Sequence, residues 1–135
     1  MKIVDSTGWV EYFARGPLFD EYREHVADLT DLLTPTIVLY EVFKRVLQRL
    51  DRNSALKAAA LLGETKLVEL DRSVAIAAAE ASIEHKLPMA DAIIYATARL
   101  NEATIITSNK HFEGLPGVLF IPLPQQEERA EQTSS

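Results

Sequence analysis

Three acidic residues in this sequence stand in apolar surroundings, where a carboxylate is costly unless it has a partner. Asp5 follows a short apolar run, Glu41 lies in segment 37–43, whose other residues are all apolar or aromatic, and Asp91 lies early in the alanine-rich segment 87–100. Oxygen ligands of this kind select a hard cation, Mg²⁺ or Mn²⁺ rather than Ca²⁺. If the three acids meet in one pocket, they predict phosphodiester chemistry, because Mg²⁺ held by carboxylates works together with phosphate oxygens.

Each acid also has a plainer structural interpretation. Asp5 suits a helix N-cap, and Asp91 suits the first turn of a helix, where the dipole favours a negative charge. Glu41 has Arg45 one helical turn further on and could form an ion pair with it. Asn109 follows an apolar run at a place where a fourth acidic ligand would be expected, and it is equally typical of a turn or cap.

Short apolar runs alternate with helical patterns along the chain, which predicts an α/β fold with a mainly parallel sheet. In such sheets ligands bind at the carboxyl ends of the strands, near the point where the strand order reverses. The predicted strands lie near residues 2–4, 32–35, 66–70, 104–107 and 118–121. The predicted helices include residues 19–33, 36–51 and 87–100, with shorter ones capped by Ser6 or Thr7, by Asn53, and by Asp71 or Ser73.

The composition limits the other possibilities. The 135 residues predict one domain over residues 1–124 and a disordered polar tail over residues 125–135. The absence of cysteine excludes disulfides and thiolate chemistry. No apolar run approaches the roughly 20 residues of a membrane span, and no signal peptide opens the chain, so a cytoplasmic protein is expected.

The charge of the chain is uneven. A net charge of −6, from 14 basic and 20 acidic residues, argues against plain electrostatic binding of nucleic acid. Five bases nevertheless fall between residues 42 and 57 against one acid, and the first four of them follow Glu41 along the same predicted helix. This basic stripe is either a solvated helix face or a path that draws phosphates towards the acids. Its members are Lys44, Arg45, Arg49, Arg52 and Lys57.

Four segments together resemble the PIN-domain nucleases: Ile3-Val-Asp-Ser6, Tyr40-Glu-Val42, Met89-Ala-Asp-Ala92 and Thr107-Ser-Asn-Lys-His-Phe112. Over about residues 1–122, their order and spacing are most similar to the VapC-type toxins of toxin–antitoxin pairs. The resemblance implies a three-layer α/β/α sandwich with a central five-stranded, mainly parallel sheet. It also implies a Mg²⁺- or Mn²⁺-dependent endoribonuclease, a homodimer, that acts on RNA and is held inactive by a cognate antitoxin protein.

The resemblance also implies roles for individual residues. Asp5, Glu41, Asp91 and Asn109 match the catalytic positions, and Asp5 and Asp91 match the metal ligands. Asn109 departs from the family pattern, in which Asp is usual, and this departure puts a second metal ion and full activity in question. Ser6 matches a Ser or Thr beside the first Asp of the family, and Lys44 and Arg45 are neighbours in the basic stripe. With Thr107 they are the candidate substrate-binding residues.

Other functions remain open from the sequence. A PIN-like module that is weakly active or inactive could act by binding a partner protein, and Asn109 favours this slightly. A receiver-like domain would want paired acids after the first strand and a Lys after the fifth, but Ser6 and Pro122 stand there. A DNA-directed nuclease also remains, since no residue identifies a reader of the ribose 2′-hydroxyl. The chain carries no P-loop, Gly-rich dinucleotide fingerprint or Ser-His-Asp order.

Overall fold

The computed structural model describes residues 1–124, in which helices and strands alternate. The predicted tail, residues 125–135, lies outside the described residues. The strands are β1 (Lys2–Val4), β2 (Leu33–Pro35), β3 (Lys66–Val68), β4 (Thr104–Thr107) and β5 (Val118–Phe120). The helices are α1 (Ser6–Phe13), α2 (Phe19–Val26), α3 (Thr36–Arg49), α4 (Arg52–Leu62), α5 (Arg72–His85) and α6 (Met89–Leu100). Short 3₁₀ turns cover Leu29–Asp31 and Lys110–Phe112.

All the strand pairs are parallel, and the predicted α/β class with a parallel sheet is confirmed. The prediction of one five-stranded sheet is wrong. Strand β4 lies between β1 and β5 in a three-stranded sheet, β2 and β3 form a separate pair, and a single bridge from Lys2 to Leu32 joins the two. Strands this short offer few ladder hydrogen bonds, and β2 ends in Pro35, which has no N–H to donate.

The order of the strands reverses between β1 and β4. The bridge places β2 and β3 on one side of β1, while β4 and β5 lie on the other. Asp5 comes directly after β1, and its backbone N–H donates to the Ile106 carbonyl of β4 across 3.2 Å. Thr107 is the last residue of β4. The reversal therefore brings the carboxyl ends of two central strands together, as expected for a ligand site in this fold class.

Helix α6 is buried over most of its length. Every residue from Asp91 to Ala98 is buried. The helix packs against α5, which presents Ala78 and Ala81 to the core, and small side chains let two helices approach closely. Pro88 lies at the N-cap position of α6, one residue before the helix begins.

Helix α2 ends at Val26, well before the predicted end at Leu33. The Asp28 carboxylate accepts hydrogen bonds from the backbone N–H and the hydroxyl of Thr30, at 3.1 and 2.6 Å. These local bonds compete with the helix and begin a 3₁₀ turn that leads into β2. None of the helices within residues 1–124 is both long enough and apolar enough to cross a membrane.

Aspartates cap three of the helices. Asp71 caps α5, one of the two residues predicted for that role, and Asp51 rather than Asn53 caps α4. Asp5 rather than Ser6 or Thr7 caps α1. An aspartate accepts the free N–H groups of a first helical turn as well as Ser or Asn does, so the sequence leaves such neighbours hard to separate.

Candidate active site

Asp5 is a buried carboxylate held by donors from two elements. It is 1% exposed and accepts a hydrogen bond from the Gly8 N–H at 3.4 Å, which caps α1. The Thr7 hydroxyl donates to Asp5 Oδ1 at 2.6 Å, and the Thr107 hydroxyl donates to Oδ2 at 2.8 Å. Burial raises the pKa of Asp5 to about 6; these donors oppose the rise, and the nearby Asp91 charge adds to it. The ionised form of Asp5 is therefore costly in this setting.

Asp91 is held by the 3₁₀ turn that follows β4. The Asn109 side-chain N–H donates to Asp91 Oδ1 at 3.2 Å, and His111 Nδ1 lies 2.7 Å from Asp91 Oδ2. The Asn109 carbonyl oxygen accepts the His111 backbone N–H at 3.0 Å. Asn109 therefore caps the turn and contacts the acid at once, which combines the two interpretations that the sequence left open.

Glu41 lies on α3 and is half-buried. Burial raises its pKa; the Ser6 hydroxyl and the Arg45 guanidinium oppose the shift, and Asp91 reinforces it. Within residues 1–124, Glu41 makes no ion pair, so a salt bridge to Arg45 is not what holds it. Its helical turn is also not buried all round, since Tyr40 is 58% exposed.

Thr107 links Asp5 to Asp91 through hydrogen bonds. Its hydroxyl donates to Asp5 and accepts the Asn109 backbone N–H at 2.9 Å. The next residue, Ser108, donates its backbone N–H to the Thr7 hydroxyl at 3.2 Å. The end of β4 thus holds the Asp5 carboxylate directly and, through Asn109, the Asp91 carboxylate.

The three acids influence one another electrostatically, but they do not form a preformed metal-binding site. The Asp91 charge raises the pKa of both Asp5 and Glu41. No group of three or more His, Cys, Asp or Glu side chains in residues 1–124 is arranged to hold a metal ion. The donor chemistry nevertheless fits a hard divalent cation, because positive charge there would stabilise a buried carboxylate whose pKa is raised.

A family model described as PIN domain matches residues 2–118. The chain belongs to the PIN-domain family. A chain of a toxin–antitoxin complex from Klebsiella pneumoniae is similar to this PIN domain, with 25% identity, a TM-score of 0.76, and 91% of this chain and 100% of that chain covered. A comparison with curated protein sequences gives no match.

Two further solved structures share the fold. VapC20 of Mycobacterium tuberculosis, described as a sarcin-ricin loop cleaving toxin, is 16% identical, with a TM-score of 0.71 and 91% and 98% of the two chains covered. VapBC2 from Rickettsia felis, bound to a DNA fragment from their promoter, is 16% identical, with a TM-score of 0.68 and 90% and 97% covered. The expected PIN and VapC-type likeness is confirmed, and it supports a nuclease in general terms.

The four predicted substrate-binding residues do not all lie near the acids of the PIN domain. Ser6 is buried close to Glu41, and Thr107 is buried against Asp5. Arg45 lines a small polar pocket that is also lined by Thr7, whose hydroxyl donates to Asp5. Lys44 instead lies over a neighbouring tyrosine ring, 5.8 Å from its centroid, and lines a separate apolar groove. The structure therefore brings three of these four residues to the acids.

Three residues of the site were not among the site residues that the sequence predicted. Thr7 lies two residues after Asp5, the spacing at which the Thr30 hydroxyl also donates to Asp28, so local pattern could have found it. His111 belongs to the motif that carries Asn109, but the sequence does not show that its ring reaches Asp91. Tyr22 shares a hydrogen bond with Ser108 at 2.6 Å across 86 residues of chain, and no local signal reports such a contact.

Proposed function

We propose that this PIN domain is a Mg²⁺- or Mn²⁺-dependent endoribonuclease that acts as the toxin of a toxin–antitoxin pair. The observation that carries the proposal is the electrostatic influence of Asp91 on Asp5 and Glu41, whose pKa values burial already raises, at the strand-order reversal of a PIN fold. The similar structures support the class, since one is a toxin–antitoxin complex and another is described as a toxin that cleaves the sarcin-ricin loop.

Asp5 and Asp91 are the residues that would hold the cation. When bound, the cation would supply positive charge for the phosphate oxygens and the leaving oxygen. The Thr7 and Thr107 hydroxyls fix the orientation of the Asp5 carboxylate, and Asn109 and His111 fix that of Asp91. A carboxylate oxygen accepts more than one bond, so these donors orient the ligands while lone pairs remain for the ion.

Glu41 is suited to accept the proton of the attacking water. Its pKa is raised by burial, which moves it towards the neutral range where a general base works best. The water oxygen forms the new bond to phosphorus, the phosphorus–oxygen ester bond breaks, and the leaving ribose oxygen takes a proton from solvent. Ser6 and Arg45, both close to Glu41, would contact the RNA backbone, whereas Thr107 would act through Asp5.

The proposal extends to partners. The protein would act in the cytoplasm as a homodimer and be held inactive by a cognate antitoxin protein, as the similarity to a toxin–antitoxin complex suggests. Light scattering of the purified protein measures the dimer. Co-purification with the product of a neighbouring reading frame tests the antitoxin.

One observation favours a competing function. Asn109 supplies an amide where the family usually has a carboxylate, and its N–H group occupies Asp91 Oδ1. A domain with a weakened metal site could act by binding a partner protein. Metal-dependent turnover of RNA separates this binding module from the nuclease.

The deciding experiment is an RNA cleavage assay with the purified, partner-free protein. We expect cleavage of structured RNA with Mg²⁺ or Mn²⁺, no cleavage with chelator, and near-complete loss in Asp5→Asn and Asp91→Asn. Asp51→Asn is the matched control, because Asp51 is also a helix cap and Asn caps equally well. Equal cleavage by wild type and Asp5→Asn would remove the nuclease assignment.

A further inference from the structure

A small polar pocket lies beside the support of Asp5. Its volume is about 140 Å³, well below the roughly 300–1,000 Å³ of sites that enclose a drug-sized ligand, so it suits a single small group. The Thr7 hydroxyl is part of its wall and donates to Asp5 Oδ1 at 2.6 Å. The pocket is therefore one side chain away from the buried carboxylate. We call it the arginine pocket; it is lined by Thr7, Val10, Glu11, Arg45, Arg49, Ser108 and Leu123.

Two cations face this pocket without a carboxylate partner among residues 1–124. Arg45 and Arg49 lie one turn apart on α3, and Glu41 lies one turn before Arg45. Within the described part of the chain, neither arginine has an ion-pair partner within 4.0 Å. Burial raises the pKa of Glu41 and the Arg45 charge opposes this rise, so the field of Arg45 reaches that acid. Two guanidinium groups that no carboxylate of residues 1–124 pairs with thus line a pocket on the helix that carries Glu41.

The other polar groups of the pocket are already engaged. Glu11 Oε2 accepts the Leu18 backbone N–H at 3.0 Å, which turns that carboxylate towards the α1–α2 connection. The Thr7 hydroxyl is used by Asp5, and the Ser108 hydroxyl shares a hydrogen bond with a tyrosine. Recognition of a ligand therefore falls to the two arginines, whose planar donor forks match a phosphate group.

We propose that the arginine pocket binds one backbone phosphate of the RNA, next to the phosphate that is cut. This inference rests on the proposed function, since it deepens how the same site takes its substrate. A chain of net charge −6 repels RNA as a whole, and the three carboxylates repel it further at the site of cleavage. The positive charges of Arg45 and Arg49 offset this repulsion locally. By binding one phosphate, they determine which neighbouring phosphate reaches the acids.

The test measures RNA binding without catalysis. A short single-stranded RNA is titrated with the full chain in chelator, which withholds the cation that cleavage would need, and binding is followed by fluorescence anisotropy. We expect Arg45→Gln and Arg49→Gln each to weaken binding about tenfold or more, as for a lost hydrogen bond to a charged group. Each should also reduce the salt slope of the binding constant by about 0.7.

Arg52→Gln is the matched control, because Arg52 belongs to the same basic stripe but lies on α4, outside the pocket. We expect it to change binding far less. An equal loss in Arg52→Gln and Arg49→Gln would overturn the pocket in favour of a diffuse field. Unchanged RNA binding in both pocket variants, with loss of binding to a glutamate-rich peptide only, would assign the pocket to a protein partner and overturn the proposal.

The result is separable from the cleavage assay. If wild type binds this RNA through the two arginines but cuts no RNA with Mg²⁺ or Mn²⁺, the pocket stands and the nuclease proposal fails. If wild type cuts RNA and neither arginine variant loses affinity, the nuclease proposal stands and the pocket fails. Melting curves of the variants confirm that their folds are intact.

Discussion

The side chain of Asn109 donates a hydrogen bond to Asp91 across 3.2 Å, between a turn that follows the central strand and the first turn of a buried helix. The carbonyl of the same amide accepts the His111 backbone N–H. An amide performs both tasks because it carries a donor and an acceptor, whereas an ionised Asp has acceptors only. The identity of this residue therefore sets the charge around Asp91 as well as the conformation of the turn.

Asn109→Asp is expected to tighten the binding of Mn²⁺ and to lower the melting temperature of the metal-free protein. With three carboxylates and one dication the formal charge of the site is −1, and a fourth carboxylate makes it −2. The loss of the bond to Asp91 and the added repulsion should cost about 1–3 kcal/mol without metal. Calorimetric titration of Mn²⁺ into both proteins measures the first effect, and melting curves in chelator measure the second.

Asn101→Asp is the control for this substitution, because the Asn101 amide donates to the Thr97 carbonyl at 2.8 Å, at the far end of α6. It should lose stability and leave the Mn²⁺ isotherm unchanged. Coincident isotherms for wild type and Asn109→Asp would remove Asn109 from the metal site.

The stability of the metal-free protein should depend on pH through Asp5. Burial raises the pKa of Asp5 from 3.8 to about 6 in the folded state, so its favourable contribution is full below about pH 4 and is lost as the pH rises through about 6. At neutral pH the ionised group costs about 3 kcal/mol, which is the free energy that corresponds to this rise in the pKa. The free energy of unfolding of Asp5→Asn, relative to that of wild type, should therefore be greater at about pH 8 than at about pH 5.

Urea unfolding in chelator at the two pH values measures this difference. Asp51→Asn is the comparison, because Asp51 is an exposed cap whose pKa is lowered by its bonds to Ser54, so it should show no such gain. A difference between Asp5→Asn and wild type that stays constant with pH would show that burial does not raise the Asp5 pKa.

Bound Mn²⁺ should raise the melting temperature, because it relieves repulsion among the acids. A ligand at about 100 times its dissociation constant stabilises the fold by about 2.7 kcal/mol. Glu41→Gln should raise the metal-free melting temperature. Burial raises the pKa of Glu41, so its ionised form is costly in the folded protein, and glutamine removes that charge. An Asp5→Ala, Asp91→Ala double variant should lose the response to Mn²⁺, while an Asp28→Ala, Asp51→Ala pair at exposed caps should keep it. A full response in the first pair would place the ion elsewhere.

The parts of the site that the sequence predicted are those with a local cause. Asp5 follows a short apolar strand, and the strand-end rule of parallel sheets identifies such a position without coordinates. Arg45 and Lys44 were both predicted to bind substrate because they are neighbours in one stripe. Spacings of three and four from Glu41 both lie near its face of the helix, so the sequence does not separate the two residues. In the folded chain Lys44 lies over the Tyr40 ring, while Arg45 lines the arginine pocket.

The remaining features depend on contacts between distant segments. The Thr107 hydroxyl reaches Asp5 across 102 residues of sequence, and no pattern within either segment reports that bond. The division of the sheet depends on how far β1 and β2 stay in register, which the bridge at Lys2 and Leu32 limits to one pair. Strand positions were therefore predictable, whereas strand pairing and side-chain partners required the folded chain.

Thr107→Val tests whether the hydroxyl that joins the two acids positions the metal ligands. Valine keeps the shape of threonine and removes both the donor to Asp5 and the acceptor for the Asn109 N–H. Partners that hold a metal ligand typically change metal affinity about 10- to 100-fold when they are removed, so Mn²⁺ should bind correspondingly more weakly. The loss of buried hydrogen bonds should also cost about 1–3 kcal/mol of stability.

Thr34→Val is the matched control, because the Thr34 hydroxyl is equally buried and bonds to Thr65 at 2.6 Å beside the other pair of strands. Both variants should lose stability to a similar degree, but only Thr107→Val should lose Mn²⁺ affinity in calorimetry. Equal Mn²⁺ affinities in the two variants and wild type would reduce Thr107 to a structural hydroxyl and leave the orientation of Asp5 to Thr7 and the helix cap alone.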